Sequence, residues 1–251
     1  MYILAIETTG LLCSVALLED NRILKEKNSD QQKNHLKDLT PMIQDIIGGD
    51  GAGSGVEPDC IAVSAGPGSF TGIRIGVATA RALCQVWKRP IATAGTLESF
   101  LMKRSLHPDH CAGKVICAVI NARRGQVYGM VEGTMRPGPY MIDDVLENLR
   151  ASVFAAGQRV IFFGDGIDAY ESKITGVLEL CGYRLGEDYF FAPKEIRYQD
   201  APSAGLLALE KIKQGELLTD PEQCLPEYMR KAEAQQKLEA GQLKLGSFTE
   251  V

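Results

Sequence analysis

Residues Ser64–Trp87, SAGPGSFTGIRIGVATARALCQVW, decide the fold of this 251-residue chain. A short apolar strand, Cys60–Ala65, runs into a Gly-Pro-Gly turn, and a long helical pattern follows from Phe70 to Trp87. Ser69 or Thr71 can accept a hydrogen bond from the first free N–H groups of that helix. At about 1.5 Å per residue the helix is roughly 27 Å long.

Two side-chain patterns run along this predicted helix. Its polar residues lie on one narrow line: Arg74, Arg81, Gln85 and Lys88. Most of the circumference should therefore be covered. Small residues recur every four positions, at Gly72, Gly76, Ala80 and Cys84. They let another backbone approach closely, at a cost of about 1 kcal/mol of helix propensity per Gly. Two interpretations follow: a core helix on its own sheet, or a helix with a second face on a partner.

Composition predicts a globular protein of one large or two modest domains, because 45% of residues are hydrophobic and 24% charged. No apolar run approaches the roughly 18 residues of a membrane span. Glu7 ends the first apolar stretch and no basic segment precedes it, so no signal peptide is expected. Seven cysteines without a C-x-x-C pair favour reduced thiols in a cytoplasmic protein. The net charge of −5 disfavours unaided binding to nucleic acid.

Further elements follow from apolar patterns elsewhere. Strands are predicted at Tyr2–Glu7, Cys13–Leu18, Ile23–Lys27, Ile91–Thr93, Val115–Ile120, Gln126–Val131 and Arg159–Phe163. Helices are predicted at about 34–47, 96–104, 168–181 and 201–213. Pro41 must either kink the first of these or open a new helix after Thr40. Residues 48–55 are expected to form a flexible loop, and residues from 242 a frayed tail. The segments 3–19 and 116–132 share a strand, turn and strand, which is compatible with a duplicated lobe.

Two glycine-rich turns could carry chemistry or only shape the backbone. In GPGSFTG (66–72), N–H groups could cradle a phosphate. Pro67 removes one donor, however, and no Lys follows as a P-loop requires, so a turn needed for backbone geometry is the alternative. Asp165, between Gly164 and Gly166, either forms a turn or lines a nucleotide cleft.

Metal-dependent and nucleophilic catalysis find little support. His107 and His110 are three residues apart, with no third ligand evident. The cysteines of the predicted strands and helices should be buried, where a thiol is inert. Glu7 and Asn121 follow matching strands where a carboxylate could hold a metal-bound nucleotide, but the neutral Asn weakens a phosphoryl-transfer function. Arg123–Arg124 is either a solvated hairpin tip or an RNA contact.

Several stretches together resemble the TsaB (YeaZ) family, the dimerisation subunit of bacterial tRNA threonylcarbamoyladenosine synthesis. They are MYILAIETTG (1–10), CSVALLED (13–20), AVSAGPGSFTGIRIGVATARAL (62–83), INARRGQVY (120–128) and LPEYMRK (225–231). The resemblance covers nearly the whole chain and is weaker from Gly133 to Leu218. Glu7 and Asn121 stand where the family usually has Asp, which weakens the prediction of a nucleotide site. The Gly-rich insert at 48–55 is a further departure.

The resemblance implies an α/β, actin/Hsp70-like (ASKHA) fold of two related lobes, each with a mixed sheet flanked by helices. The lobes would be residues 1–106 and 107–218, with a C-terminal segment, 219–251, packed back on the first. It implies a cytoplasmic, non-catalytic subunit without cofactor or metal. Its partners would be a TsaD homologue and a TsaE-type ATPase, or a second copy when the chain is alone. We expect tRNA to be bound only through the complex, and no membrane partner.

The partner surface is predicted on the helices at about 34–47 and 70–87. Its residues would be Leu36, Leu39, Ile43, Ile46, Gly72, Ile73, Gly76, Val77 and Ala80. Burying an Ile or Val stabilises by about 1.5–3 kcal/mol, so a few such anchors could hold a specific dimer. This interpretation predicts that Gly76→Arg leaves the monomer folded but abolishes binding of the TsaD homologue.

Two other functions are alternatives. A kinase or ATPase of the same fold would need a nucleotide site at Glu7, Thr8, Thr9, Gly164, Asp165 and Gly166, and MgATP turnover by the isolated chain would favour it. A metallopeptidase, an activity once attached to the wider superfamily, lacks evident metal ligands, and a metal assay would test it.

Overall fold

The computed structural model describes residues 1–29, 35–48 and 55–229. The interior of the predicted 48–55 loop and everything beyond residue 229, including the predicted frayed tail, lie outside these ranges. The strands are β1 (Tyr2–Glu7), β2 (Ser14–Glu19), β3 (Arg22–Asn28), β4 (Cys60–Gly66), β5 (Ile91–Gly95), β6 (Lys114–Arg123), β7 (Gln126–Val131), β8 (Met135–Met141), β9 (Arg159–Phe163) and β10 (Tyr189–Phe191). The helices are α1 (His35–Ile47), α2 (Phe70–Trp87), α3 (Thr96–Ser99), α4 (Lys103–Leu106), α5 (Pro108–Cys111), α6 (Ile142–Asn148), α7 (Gly166–Leu180), α8 (Lys194–Arg197) and α9 (Ala201–Lys213). Within the described ranges, none of the helices is long and apolar enough to cross a membrane.

The two sheets repeat one topology. The first has the order β3-β2-β1-β4-β5 and the second the order β10-β9-β6-β7-β8. If the strands of each sheet are numbered 1 to 5 in chain order, the first sheet has the order 3-2-1-4-5. The second sheet has the same order when it is read from β8 to β10. In each sheet the first three strands in chain order pair antiparallel, and the last two strands add parallel pairs. This duplicated arrangement confirms the actin/Hsp70-like α/β fold.

The first sheet is covered on both faces, and its strand β1 shows how. Leu4 and Ile6 lie in the core cluster that contains Ile73 and Val77 of α2. Ile3, which points to the other side of the strand, packs in a cluster with residues of α9. A strand buried on both faces is apolar throughout, which explains the continuous apolar run of β1 and β4.

The position of α9 corrects the predicted lobe boundary. Residues 107–218 were expected to form the second lobe, but Ala201, Leu206 and Leu209 pack with Ile3 and other residues of the first sheet. The chain therefore returns to the first lobe at about residue 200. Sequence order alone does not reveal this return, because an apolar helix face does not indicate which sheet it covers.

The differences from the sequence prediction include an unpredicted edge strand and an uninterrupted helix. β8 was not predicted, and its sequence, MRPGPYM, contains Pro137, Gly138 and Pro139, which are rare in strands. It pairs with β7 and lies at the sheet edge, where prolines are tolerated. Pro41 lies inside the single helix α1 and does not end it. Met42, Ile43 and other α1 residues are buried on either side of it and hold the helix against the sheet.

The C-terminal segment 219–229 packs on the first lobe. Glu227 donates its N–H to the carbonyl oxygen of Ala65 at the end of β4, at 2.7 Å. The ring of Tyr228 stacks on Phe70 with 4.5 Å between centroids. Its hydroxyl oxygen accepts a hydrogen bond from Arg74 Nε at 2.8 Å. These interactions tie the segment to the first turns of α2.

Candidate functional site

The glycines of α2 lie directly on the loop that follows β1. Ser69 caps the helix by accepting a hydrogen bond from the N–H of Gly72 at 3.2 Å, as the sequence predicted. The Thr8 hydroxyl donates to the carbonyl oxygen of Gly72 at 2.8 Å. A Cβ added at Gly72 would lie 1.9 Å from the carbonyl oxygen of Thr8, and one at Gly76 would lie 2.3 Å from the Thr8 hydroxyl oxygen. The close backbone approach expected from the small-residue row therefore occurs within the chain itself.

Most of the predicted partner residues lie inside the molecule, where they are not available to a partner. The residues buried in the first lobe are Leu39, Ile43, Ile46, Gly72, Ile73, Gly76, Val77 and Ala80. Leu36, the ninth, is 78% exposed. The apolar face of an amphipathic helix is the face that packs on its own core, which is the physical reason for this placement. For the same reason Gly76→Arg would force a side chain into Thr8 and disrupt the fold.

The outward sides of the same two helices carry a different set of small and apolar residues. On α2 they are Thr71, Ile75, Ala78, Ala82 and Val86, three or four positions apart; on α1 the residue is Leu36. We call these six residues the outer face. Val86 is 75% exposed, and Ile75 is half-buried. No member of the outer face is charged.

Glu7 closes the end of β1 instead of opening into a cleft. Its side chain is fully buried, and Oε1 accepts hydrogen bonds from the N–H and the hydroxyl of Thr9, the latter at 2.6 Å. Burial raises the pKa of the Glu7 carboxyl, whereas the hydrogen bonds from Thr9 lower it by a smaller amount. Thr8 and Thr9 are also buried. This half of the predicted nucleotide site is held shut by its own loop.

The Gly164–Gly166 turn joins β9 to α7, and its residues also contact other parts of the chain closely. The N–H of Gly164 donates to the carbonyl oxygen of Arg197 at 2.8 Å. A Cβ at Gly164, where φ is 98°, would lie 2.1 Å from the carbonyl oxygen of Val119. Asp165 accepts a hydrogen bond from the N–H of Asn121 at 2.9 Å, and burial raises the pKa of its carboxyl. The packing of these residues supports the turn interpretation.

A short segment, residues 197–200, touches both halves of the predicted nucleotide site. Arg197 binds the Gly164 turn through its carbonyl oxygen, and Gln199, which is 8% exposed, lies against Gly10 in the loop after β1. Asp200 forms an ion pair with Lys103, whose side chain is almost completely buried. The segment therefore fixes the loop after β1 and the turn after β9 relative to each other.

Metal and thiol chemistry also lack a built site in the described part of the chain. No group of three or more His, Cys, Asp or Glu is placed there to hold a metal ion. Burial raises the pKa of the Cys13, Cys60 and Cys84 thiols to about 12, which keeps them protonated and unreactive. Arg123–Arg124 lies exposed at the tip of the β6–β7 hairpin.

Comparison with known proteins gives the family. A family model described as TsaD, tRNA N6-adenosine threonylcarbamoyltransferase, matches residues 22–173. The tRNA threonylcarbamoyladenosine biosynthesis protein TsaB of Bacillus subtilis is 30% identical over 245 residues, which cover 94% of this chain and 97% of that protein. The chain belongs to the TsaB family. TsaB of Escherichia coli is 36% identical over 131 residues, about half of either protein. The structure of YeaZ from Pseudomonas aeruginosa aligns with a TM-score of 0.66 at 26% identity, covering 90% of this chain and 99% of that one.

In this TsaB-family chain, the partner residues predicted from the sequence lie on the buried sides of two amphipathic helices, apart from Leu36. A signal for the outer face was present, because Ile75, Ala82 and Val86 are apolar yet fall outside the row of Gly72, Gly76 and Ala80. When one stripe of a helix faces the core, a second apolar stripe on the same helix indicates a surface that can bind a partner.

Proposed function

We propose that this TsaB-family chain is a non-catalytic subunit that binds and supports a TsaD-type threonylcarbamoyltransferase in tRNA N6-threonylcarbamoyladenosine modification. The observation that supports it is the outer face, an uncharged stripe along the 18-residue helix α2 with Leu36 of α1 as its sixth member. Contiguous exposed apolar residues are typical of interaction surfaces. Leu36 and Val86, at 78% and 75% exposed, would lose most of their accessible surface on binding.

The likeness between the two families supports a TsaD homologue as the occupant. The TsaD family model matches residues 22–173, which include α1 and α2, so a TsaD protein should carry equivalent helices. Two similar lobes can pair about an approximate two-fold axis, each presenting the same pair of helices. Ala78 and Ala82 would let the two α2 helices approach closely. Without TsaD, two copies of this chain would pair through the same face.

The internal contacts of the predicted nucleotide site support the non-catalytic part of the proposal. A kinase or ATPase of this fold needs carboxylates and turn N–H groups that can reach a bound nucleotide and its metal. Here Glu7 is fully buried, and the N–H of Gly164 is bound to Arg197. With a net charge of −5, the chain would meet tRNA as part of the complex. The TsaE-type ATPase stays a prediction from the family resemblance.

Charge insertion into the outer face tests the proposal. Ala82→Arg and Val86→Arg change exposed positions, so thermal unfolding by circular dichroism should remain that of the wild type. Affinity for the TsaD homologue, measured by size-exclusion chromatography and titration calorimetry, should fall at least about tenfold, as expected when a central interface residue is replaced. Leu180→Arg is the matched control, because Leu180 is apolar, 90% exposed and on α7 of the other lobe.

Two results would count against this function. If the outer-face variants bind the TsaD homologue as tightly as the Leu180→Arg control does, the outer face is not the binding surface. MgATP binding and turnover by the isolated chain would favour the kinase or ATPase instead.

A further inference from the structure

A concave site lies at the opposite end of the second sheet from the Gly164–Gly166 turn. It is a pocket of about 760 Å³ beside the first residues of β6 and β9, and its charged lining consists of Arg104, Lys114, Glu132 and Arg159. Lys114 and Asn121 are seven residues apart on β6, so at about 3.3 Å per residue the pocket lies roughly 23 Å from Asn121. None of its described lining residues belongs to the outer face or to the predicted nucleotide site.

Arg104 is held in a fixed position by the pocket wall. Its guanidinium donates to the carbonyl oxygens of Cys111 and Lys114, at 3.2 and 3.1 Å, and to Glu132 Oε2 at 2.5 Å. The same carboxylate oxygen accepts the N–H of Ile116 at 3.0 Å. The carboxylate in the described lining is therefore already neutralised by Arg104.

Lys114 and Arg159 supply positive charge that the described lining does not balance. They are register partners in the parallel pair of β6 and β9, so their side chains leave the sheet on the same side. Lys114 Nζ donates to the carbonyl oxygen of His110 at 2.8 Å and lies 4.5 Å from the centre of the Phe190 ring. Across residues 1–29, 35–48 and 55–229, neither cation forms an ion pair with a carboxylate. Two neighbouring like charges repel, and an anion between them would remove that repulsion.

The chemistry of the lining suits an anion that carries two or more oxygens. The Arg159 guanidinium can bind two oxygens of one phosphate or carboxylate at once. Arg104 adds N–H donors in a fixed position but no net charge, because it is paired with Glu132. The rest of the described lining is Gly113, Val115, Gly133, Thr134, Gly157 and Gln158, which offers no aromatic ring on which a base could stack. A nucleic-acid backbone can be bound in this way, through its phosphates and without contact to a base.

We propose that this pocket binds a backbone phosphate of RNA, with Arg159 as the main contact and Arg104 as a fixed second donor. The inference rests on the proposed function, because the RNA would be the tRNA that the complex with TsaD modifies. The overall charge of −5 makes this a local interaction that adds to binding by the partner.

The test measures the affinity of the complex with the TsaD homologue for a fluorescein-labelled tRNA anticodon stem-loop by anisotropy. Arg159→Ala, which removes one phosphate-binding side chain, should weaken binding roughly tenfold at about 50 mM salt and about three- to fourfold at about 200 mM, because counterion release scales with salt concentration. Arg159→Lys, which keeps the charge but not the fork, should recover part of the affinity. Arg150→Ala is the matched control, since Arg150 is exposed on the same lobe and already paired with Glu147.

Three outcomes would overturn the inference. The first is an Arg159→Ala complex whose RNA affinity stays within about twofold of wild type at low salt, and the second is an equal loss of affinity in the Arg150→Ala control. The third is a hexaglutamate peptide that binds with the same dependence on Arg159 while the RNA does not. Size-exclusion chromatography shows whether the RNA-binding inference fails by itself or whether the proposed binding to the TsaD homologue fails as well. Arg159→Ala should leave assembly with the TsaD homologue intact, and if the wild type itself does not assemble, the isolated chain still tests the pocket with the same RNA.

Discussion

Replacing Gly72 by Ala tests the central packing of the first lobe. The added Cβ would lie 1.9 Å from the carbonyl oxygen of Thr8, whereas real Cβ atoms stay at least 3.0 Å from such neighbours. The helix and the loop must therefore separate by about 1 Å. Because Thr8 lies between Glu7 and Thr9, that movement disturbs both the hydrogen bond from the Thr8 hydroxyl to Gly72 and those from Thr9 to Glu7.

The expected decrease in stability follows from three contributions. Overpacking costs about 1–3 kcal/mol, each disturbed hydrogen bond about 1 kcal/mol, and the higher helix propensity of Ala returns about 1 kcal/mol. With three hydrogen bonds disturbed, the net expectation is a decrease of roughly 3–5 kcal/mol in the free energy of unfolding. Gly76→Ala should cost less, because its nearest neighbour is the Thr8 hydroxyl oxygen, which belongs to a side chain that can move.

Urea unfolding at 25 °C, followed by far-UV circular dichroism and by the fluorescence of Trp87, measures these differences. Gly176→Ala provides the matched control, since Gly176 lies within α7, is exposed and would have no described atom within 4 Å of an added Cβ. There the substitution should stabilise by about 0.5–1 kcal/mol through helix propensity alone. If Gly72→Ala stabilised the protein as Gly176→Ala does, the packing of α2 on Thr8 would be refuted.

Two further predictions concern buried ionisable groups. Because burial raises the pKa of Glu7 above its usual value of 4.5, its contribution to stability is present below pH 4.5 and is lost as pH rises through the higher folded pKa. Glu7→Gln should therefore give a flatter profile of unfolding free energy between pH 4.5 and 8, and a profile parallel to wild type would contradict the buried carboxyl. Cys181 is exposed and the other six cysteines are buried, so iodoacetamide followed by mass spectrometry should label Cys181 in the native protein and all seven only in urea. Rapid native labelling of Cys13 or Cys84 would show that the first-lobe core opens.

Elements with a strong local pattern were predicted to the residue. The strand Tyr2–Glu7 and the helices Phe70–Trp87 and Ala201–Lys213 have the predicted bounds, because each is a continuous or periodic apolar run with clear end signals. β8 was missed because its Pro and Gly residues are typical of turns, and only pairing with β7 along a sheet edge makes it a strand. Helix α9 was predicted correctly as a helix, yet its attachment to the first sheet depends on packing between residues some 200 positions apart.

The candidate nucleotide site also combines features that the sequence predicts with features that depend on tertiary packing. Its residues were correctly placed at the ends of strands β1 and β9, since strand ends follow from sequence. That Glu7 turns inward onto Thr9, and that residues 197–200 touch both loops, depends on neighbours brought together by folding. The pocket at Arg104 and Arg159 was not predicted for this reason, because its two arginines are far apart in the chain.

The sequence by itself determined the α/β fold, the duplicated strand pattern, the family and the two helices on which the partner surface is proposed. Only the tertiary structure decided which side of those helices is free. A helical repeat shows that one face is apolar or small, but it does not show whether that face meets the chain's own backbone or another protein. In this molecule the loop at Thr8 packs against the glycine row, so the proposed partner surface lies on the other side, with Ile75, Ala82 and Val86.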